Sequence, residues 1–270
     1  MNLLSVFLAS LWRFGYLLDS KTRLAPRKKT YFKTPLIGVG SLLAGGAGKT
    51  PYTAFLAKEL RERGFKLAIL CKNTGDENLW FEKKGFEVFT GNRFELCKKL
   101  DGKYDALISD DGLEDRRLSH AFWVCLTWGE RAENLFDIIP CGNCRSLWKD
   151  HPKIACIKKC AMEWEENAKT ADLVFKMEKP KNYCGEILPE NSEIIALAGI
   201  ARSHRFFEGL QKKYSIVKKI KCKDHSKNIQ KMVIQLLKLD LPIVITEKDS
   251  VKLSEDVLQN KNIFVAELKI

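Results

Sequence analysis

The stretch SLLAGGAGKTP, residues 41–51, places Gly45, Gly46, Ala47, Gly48, Lys49, Thr50 and Pro51 where an apolar run gives way to a helix-like pattern. Glycines there let backbone N–H groups turn inward on an anion, and a helix beginning near Lys49 adds its positive end. Lys49 would reach the outer phosphates of a nucleotide and Thr50 would offer its hydroxyl to a magnesium ion, so the stretch reads as a triphosphate site. The strict pattern G-x-x-x-x-G-K-[ST] has glycine where this chain has Leu43. The plain alternative is a glycine-rich turn whose Lys and Thr merely start a helix.

A phosphate loop works with an acidic residue at the end of another strand. ALISDDGLED delivers Asp110 and Asp111 after an apolar run, and with Thr50 they form the expected magnesium set. A solvated Asp-Gly turn is the competing reading. For the phosphate acceptor, NTGDENLW offers Asp76 and Glu77 soon after a strand, where ligands collect in α/β sheets. KDHSKN sets Asp224 beside His225, an acid/base, a cap or a surface turn.

These residues must be positioned by the elements around them. TPLIGVG (34–40), FKLAILC (65–71), FEVFTG (86–91), YDALISD (104–110) and FWVCLTW (122–128) read as strands, and Thr50 to Arg63 as a helix closed by Gly64. Residues 150–192 are less regular and read as a crossing. Beyond them EIIALAGI, YSIVKKIKC and PIVIT read as strands, and HRFFEGLQKKY and NIQKMVIQLLKLD as helices. The alternation predicts an α/β fold: a phosphate-loop domain over 31–150, a crossing over 151–192 and a second, smaller α/β domain over 193–270.

The first twenty residues, MNLLSVFLASLWRFGYLLDS, are apolar but broken by Ser5, Ser10 and Arg13 before membrane-spanning length. On a helix, Leu3, Leu4, Phe7, Leu11, Phe14 and Leu18 fall on one side and Ser5, Ser10, Arg13 and Asp19 on the other. The basic flank of Lys21, Arg23, Arg27, Lys28 and Lys29 suits a helix lying on an anionic bilayer over residues 1–30; the alternative is a helix packed on its own domain. The formal charge of +12 predicts phosphate-rich partners without choosing among them, and nine cysteines without a cleavable secretion signal suggest a reducing compartment. Cys141, Cys144, Cys156 and Cys160 have a zinc-like spacing and could hold a structural Zn2+.

Taken together, VGSLLAGGAGKTP, GDENL, ISDDGLEDRRL, IPCGNCRS, ALAGIARSHRFFEGL, KDH and VITEKDSVKL occur in the order seen in tetraacyldisaccharide 4′-kinases, the lipid A 4′-kinases of Gram-negative bacteria. The chain resembles that family over roughly residues 3–253. The resemblance implies transfer of the γ-phosphate of ATP, with Mg2+, to the 4′-hydroxyl of an acylated glucosamine disaccharide 1-phosphate. It places the reaction at the cytoplasmic face of the inner membrane, with the protein peripheral and without a nucleic-acid partner. It also implies two α/β/α domains joined by a strand-containing linker and preceded by a membrane-docking helix. The family's catalytic pair falls on Asp76 and His225, its phosphate loop on Gly45 to Thr50 and its acidic pair on Asp110 and Asp111.

This chain departs from the family's pattern in several places. Glu114-Asp115 stand where Gln-His is usual, Ser146 stands where a glutamate is usual beside the retained Arg145, and the segment from Cys71 to Asp76 is short. The rival functions are a nucleotide switch, with TEKD at 246–249 as a faint guanine reader and the cysteines for metal cargo, and a non-catalytic membrane module with a decayed loop.

Overall fold

The computed structural model describes residues 3–22, 32–72, 75–118, 121–224, 226 and 228–270. His225 and the basic residues Arg23, Arg27, Lys28 and Lys29 lie outside the described residues. Two units form: Met1–Thr74, Phe81–Ala161 and Thr170–Leu173 make the first, and Gly75–Trp80, Met162–Lys169 and Val174–Ile270 the second.

In the first unit, α1 (Leu3–Lys21) is followed by β1 (Leu36–Gly40), α2 (Lys49–Glu62) and β2 (Leu67–Cys71). After α3 (Asp76–Lys83), which begins in the second unit, come β3 (Val88–Thr90), α4 (Arg93–Leu100), β4 (Ala106–Asp110), β5 (Phe122–Thr127) and β6 (Ile154–Met162). The strands lie in the order β6-β5-β1-β4-β2-β3 and every pairing among them is parallel. β2 and β4 are buried along their whole length, as a parallel sheet covered on both faces requires. Phe94, Cys97 and Leu100 of α4 pack with Ala68, Leu70 and Leu107 in one cluster. α2 buries Tyr52, Thr53, Ala54 and Ala57.

The order places β1 between β4 and β5, so the chain turns to opposite sides of the sheet after β1 and after β4. The crevice at the carboxyl ends of such strands is where α/β sheets bind ligands, and the phosphate loop and the Asp110-Asp111 pair are both there.

The second unit contains β7 (Leu173–Met177) from Val174 onward, then β8 (Glu193–Ala198), α5 (Ser203–Gln211), β9 (Ser215–Lys221) and α6 (Ile229–Leu236). β10 (Ile243–Thr246), the short helices α7 (Glu247–Ser250) and α8 (Glu255–Leu258), β11 (Ile263–Ala266) and β12 (Leu268–Lys269) follow. β11-β10-β8-β9 form a parallel sheet, and β12 pairs antiparallel with β7. Alternation along β8 divides its two faces: Ile194, Ala196 and Ala198 pack with Phe206, Phe207 and Leu210 of α5, while Ile195 and Leu197 pack with Ile229, Val233 and Leu236 of α6. The smaller α/β/α layer expected from the sequence is present.

One segment differs from the sequence expectation. Residues 150–192 carry the strands β6 and β7 instead of an irregular crossing, because the lysines of IACIKKCAM sit on a strand whose burial alternates along Ile154 to Lys159. α1 is an amphipathic helix as expected, and its polar side meets the protein: Ala9 and Ser20 are fully buried and Arg13 is largely covered, whereas Leu3 is 88% and Phe14 62% exposed. No helix among the described residues is long and apolar enough to cross a membrane.

Glycine is required within β1. A Cβ on Gly38 would stand 2.3 Å from the Trp123 ring, so the indole of β5 lies directly on the β1 backbone. Gly38→Ala should destabilise the protein by about 1–3 kcal/mol, the usual cost of overpacking, as a lower urea midpoint at unchanged slope. An unchanged midpoint would show that Trp123 has room to move aside.

Candidate active site

The phosphate loop curls because Gly45, Gly46 and Gly48 take positive φ values of 100°, 65° and 79°. That backbone region is open to glycine and costly for most other residues. Gly48 caps α2 without any side-chain hydrogen bond, and the first turn of α2 carries no acidic residue. The positive end of a 14-residue helix is therefore left to an anion. Position 43 does not line this curl. Leu43 is 1% exposed, belongs to the main core cluster and bridges to Cys144, so the missing glycine is a buried anchor for the loop.

IPCGNCRS supplies the other half of that anchor. Ala44 N–H donates to Asn143 O at 2.8 Å and Arg145 N–H to Leu42 O at 2.7 Å, lacing residues 142–145 along the phosphate loop. Gly142 is needed because a Cβ there would stand 2.3 Å from the Asp137 carbonyl. Trp128 Nε1 donates to Ala47 O at 3.0 Å and holds the loop from the β5 side.

The acidic pair divides its partners. Asp110 is buried and receives the hydroxyls of Thr50 and Thr53, each at 3.1 Å, while its carbonyl accepts from Arg93. Asp111 adopts the left-handed region at φ 67° and faces Lys49 Nζ at 3.6 Å and Arg145 at 3.3 Å. Burial would raise the pKa of Asp111, but Lys49, Arg145 and Arg93 outweigh it and hold the carboxyl well below the usual carboxylate range. Glu114 lies 3.3 Å from Arg145 on its other side; burial, then the charge of Asp111, pushes its pKa up. Two cations beside hard carboxylate and hydroxyl oxygens suit a magnesium–phosphate group, since Mg2+ is commonly held by one or two carboxylates together with substrate phosphates.

Arg145 is also reached from α1. Trp12 Nε1 donates to Arg145 O at 2.8 Å, and Arg13 forms a two-pronged pair with Asp150 at 2.8 and 3.0 Å. Ser146, at the position of the family's usual glutamate, shares a 2.8 Å hydrogen bond with His151 Nε2, and Tyr16 approaches the same nitrogen at 3.4 Å. Burial lowers the pKa of His151 to about 4 against the opposing charge of Asp150, and burial, with Asp150 and Glu114, raises Tyr16 to about 12.

In the second unit, Asp76 opens α3 with its carboxylate 3.1 Å from Lys252 Nζ. Glu77 meets Lys248 at 3.4 Å, and Lys248 also approaches Asp224 at 3.9 Å. Asp224 is thus near the first turn of α3, whereas its neighbour His225, the expected partner of Asp76, lies outside the described residues. Asp249, last residue of the TEKD quartet, is fully buried and accepts from Gly199 N–H, Thr246 Oγ1 and Lys252 Nζ. A carboxylate so occupied reads no guanine, which removes that support for a nucleotide switch.

The zinc expectation is corrected by the fold. Among the described residues no group of three or more His, Cys, Asp or Glu side chains is placed to hold a metal ion. Cys144 turns into the loop core, where Sγ donates to Arg131 O at 3.2 Å, and Cys160 is buried on β6, so Cys141, Cys144, Cys156 and Cys160 do not converge. Sequence reading passed over Arg93, Thr53, Trp128 and Lys252. Thr53 alone carried a signal, one helical turn after Thr50; the others come together only through strand order.

With this geometry in place, the comparisons are specific. The family of tetraacyldisaccharide-1-P 4′-kinases, LpxK, matches residues 2–73 and 71–270. The chain belongs to the LpxK family. A tetraacyldisaccharide 4′-kinase of Shewanella sediminis is 27% identical over 260 residues, covering 87% of this chain and 77% of that one. Another, from Francisella tularensis subsp. novicida, is 27% identical over 306 residues and covers 93% and 90% respectively. The crystal structure of an LpxK from Aquifex aeolicus, described as an "apo" form in complex with ATP, superposes with a TM-score of 0.59 at 20% identity. It covers 98% of this chain and 92% of that one, and shows that the LpxK fold is shared.

His151 gives this member of the LpxK family a measurable acid sensitivity. Its folded pKa, about 4, lies below the unfolded value near 6.5, so the neutral ring stabilises the fold fully above about pH 6.5 and loses that contribution as pH falls toward 4. The loss should approach roughly 3 kcal/mol, because each tenfold difference in proton affinity between folded and unfolded chain is worth about 1.4 kcal/mol. Denaturation of wild type and His151→Phe at pH 7 and pH 4.5 reads it: the variant's stability should depend less steeply on pH. Equal pH dependence would sink the assignment.

Proposed function

We propose that the chain is an ATP-dependent kinase that phosphorylates the 4′-hydroxyl of a tetraacylated glucosamine disaccharide 1-phosphate. The observation that carries the reading is the phosphate loop with Lys49 and Arg145 gathered on Asp111, in a chain matched along its length by the LpxK family. Phosphoryl transfer asks chiefly for positioning and charge neutralisation, and these residues supply both.

Gly45 to Thr50 and the start of α2 bind the phosphates, while Lys49 and Arg145 neutralise charge that grows on the transferred group. Mg2+ would be held by Asp110, Asp111 and the Thr50 hydroxyl, and when bound it draws charge from the phosphate oxygens and fixes their orientation. Thr50 and Thr53 orient the Asp110 carboxylate. Asp76 accepts the proton of the sugar hydroxyl, and His225 tunes or relays it. The exposed apolar side of α1, with Leu3, Phe7 and Phe14, docks on an anionic bilayer at the cytoplasmic face of the inner membrane, where an acylated acceptor resides.

Transfer from labelled ATP to tetraacyldisaccharide 1-phosphate in detergent tests the reading. Wild type should transfer phosphate, whereas Lys49→Ala and Asp76→Ala should each lose about 10²-fold or more in turnover. No transfer by wild type would defeat the kinase assignment; full transfer by Asp76→Ala would remove only the choice of base. For the docking helix, Phe7→Glu/Phe14→Glu should weaken cosedimentation with phosphatidylglycerol vesicles at least about tenfold, since each Phe contributes on the order of 2 kcal/mol when buried. Undiminished cosedimentation would take the bilayer contact away from α1.

A further inference from the structure

VITEKDSVKL is a family-like stretch that the proposed chemistry leaves without a task. Thr246 caps α7 by accepting Asp249 N–H at 3.1 Å, which turns the Asp249 side chain back beneath β10. There Asp249 is 0% exposed and its Oδ2 accepts from Thr246 Oγ1 at 2.7 Å and Gly199 N–H at 2.8 Å. Gly199 permits that approach, since a Cβ there would stand 3.0 Å from both Asp249 Oδ1 and Ile229 Cδ1.

A fully buried carboxylate holds its charge only beside a cation, and Lys252 Nζ supplies one at 2.9 Å from Oδ1. The ammonium has three donors. One is committed to Asp249, and the same nitrogen lies 3.1 Å from Asp76 Oδ2. Lys252 is only 10% exposed, against 19% for Asp76, so the lysine is the fixed member and the carboxylate of α3 comes to it. Burial works against the charge on Lys252, but Asp249, then Asp76, raises its pKa above the ordinary lysine value, and the nitrogen stays protonated. Lys248, four residues earlier, pairs with the neighbouring Glu77 and braces the same helical turn.

We propose that Lys252 is a positioning residue for phosphoryl transfer: anchored by buried Asp249, its ammonium fixes the Asp76 carboxylate in the orientation from which it takes the acceptor proton. The inference rests on the reading of Asp76 as that base. Lys252 keeps its own proton throughout; it sets where the Asp76 oxygen points. The alternative is an ion pair that only ties α3 to the second unit's sheet. Such a pair would affect stability without belonging specifically to turnover.

Steady-state kinetics with ATP and tetraacyldisaccharide 1-phosphate separate the two. Lys252→Met should lower kcat about 10²-fold, the size of effect expected from a misplaced reacting group, and leave the KM for ATP within about twofold. Lys252→Arg, which keeps a cation able to reach both carboxylates, should recover most of the loss. The Asp76→Asn/Lys252→Met double variant should be no slower than Asp76→Asn alone, because a positioning residue has nothing left to position. Lys252→Gln is read in the same way if Lys252→Met melts below the assay temperature. Near-normal kcat in a folded neutral variant, no rescue by Lys252→Arg, or losses that add in the double variant overturn the proposal. If Asp76→Asn itself turns over like wild type, the base reading falls and this inference with it; if Asp76→Asn is slow while Lys252→Met is fast, only the inference falls.

Discussion

Asp111 is the point on which the first unit's chemistry turns. It leaves β4 in a left-handed conformation that aspartate tolerates better than most residues, held by its own N–H on Val39 O and by Ser109 Oγ on its carbonyl. From that position one carboxylate faces both Lys49 and Arg145. The two cations would repel each other at the sheet end, and Asp111, with Glu114 beside Arg145, offsets that repulsion. The loop 142–145, the Trp128 strap and the contact from Trp12 all fix groups around that one carboxylate.

The second unit applies the same physics to a different end. Asp249 has surrendered all solvent and is satisfied by a backbone N–H, a hydroxyl and an ammonium. A buried network with every partner in place is rigid, and its rigidity passes through Lys252 to Asp76. Each unit thus holds a carboxylate and lysine pair, Asp111 with Lys49 and Asp249 with Lys252, although Asp111 is partly exposed and Asp249 is sealed.

α1 inverts the usual rule for an amphipathic helix. Its attachment is polar, through Arg13 on Asp150, Tyr16 near His151 and Trp12 on the Arg145 carbonyl, and its apolar residues face outward. An exposed stripe of large apolar side chains is costly in water and marks a surface that meets lipid or protein. Because α1 holds Arg145, Asp150 and His151, the helix and the cation on Asp111 share one short stretch of chain.

Local chemistry made much of this legible in the linear chain. Gly45 to Thr50, Asp110 and Asp111 announce their site because a phosphate loop is built from neighbours, and the strands around it show as apolar runs. The amphipathic pattern of α1 is equally local. Which side of that helix faces the protein is not, since periodicity is the same for a core helix and for one attached by its polar side. Likewise the cysteine spacing suggested zinc, but spacing says nothing of direction, and Cys144 turns into the core beside Leu43. Arg93 on Asp110, Arg145 on Asp111 and Lys252 on Asp76 join residues 17, 34 and 176 positions apart. Sequence alone determined that a glycine-rich turn opening a helix and an acidic strand end exist; only the tertiary structure decided which distant cations meet them, because strand order and buried anchors, not chain neighbourhood, set those distances.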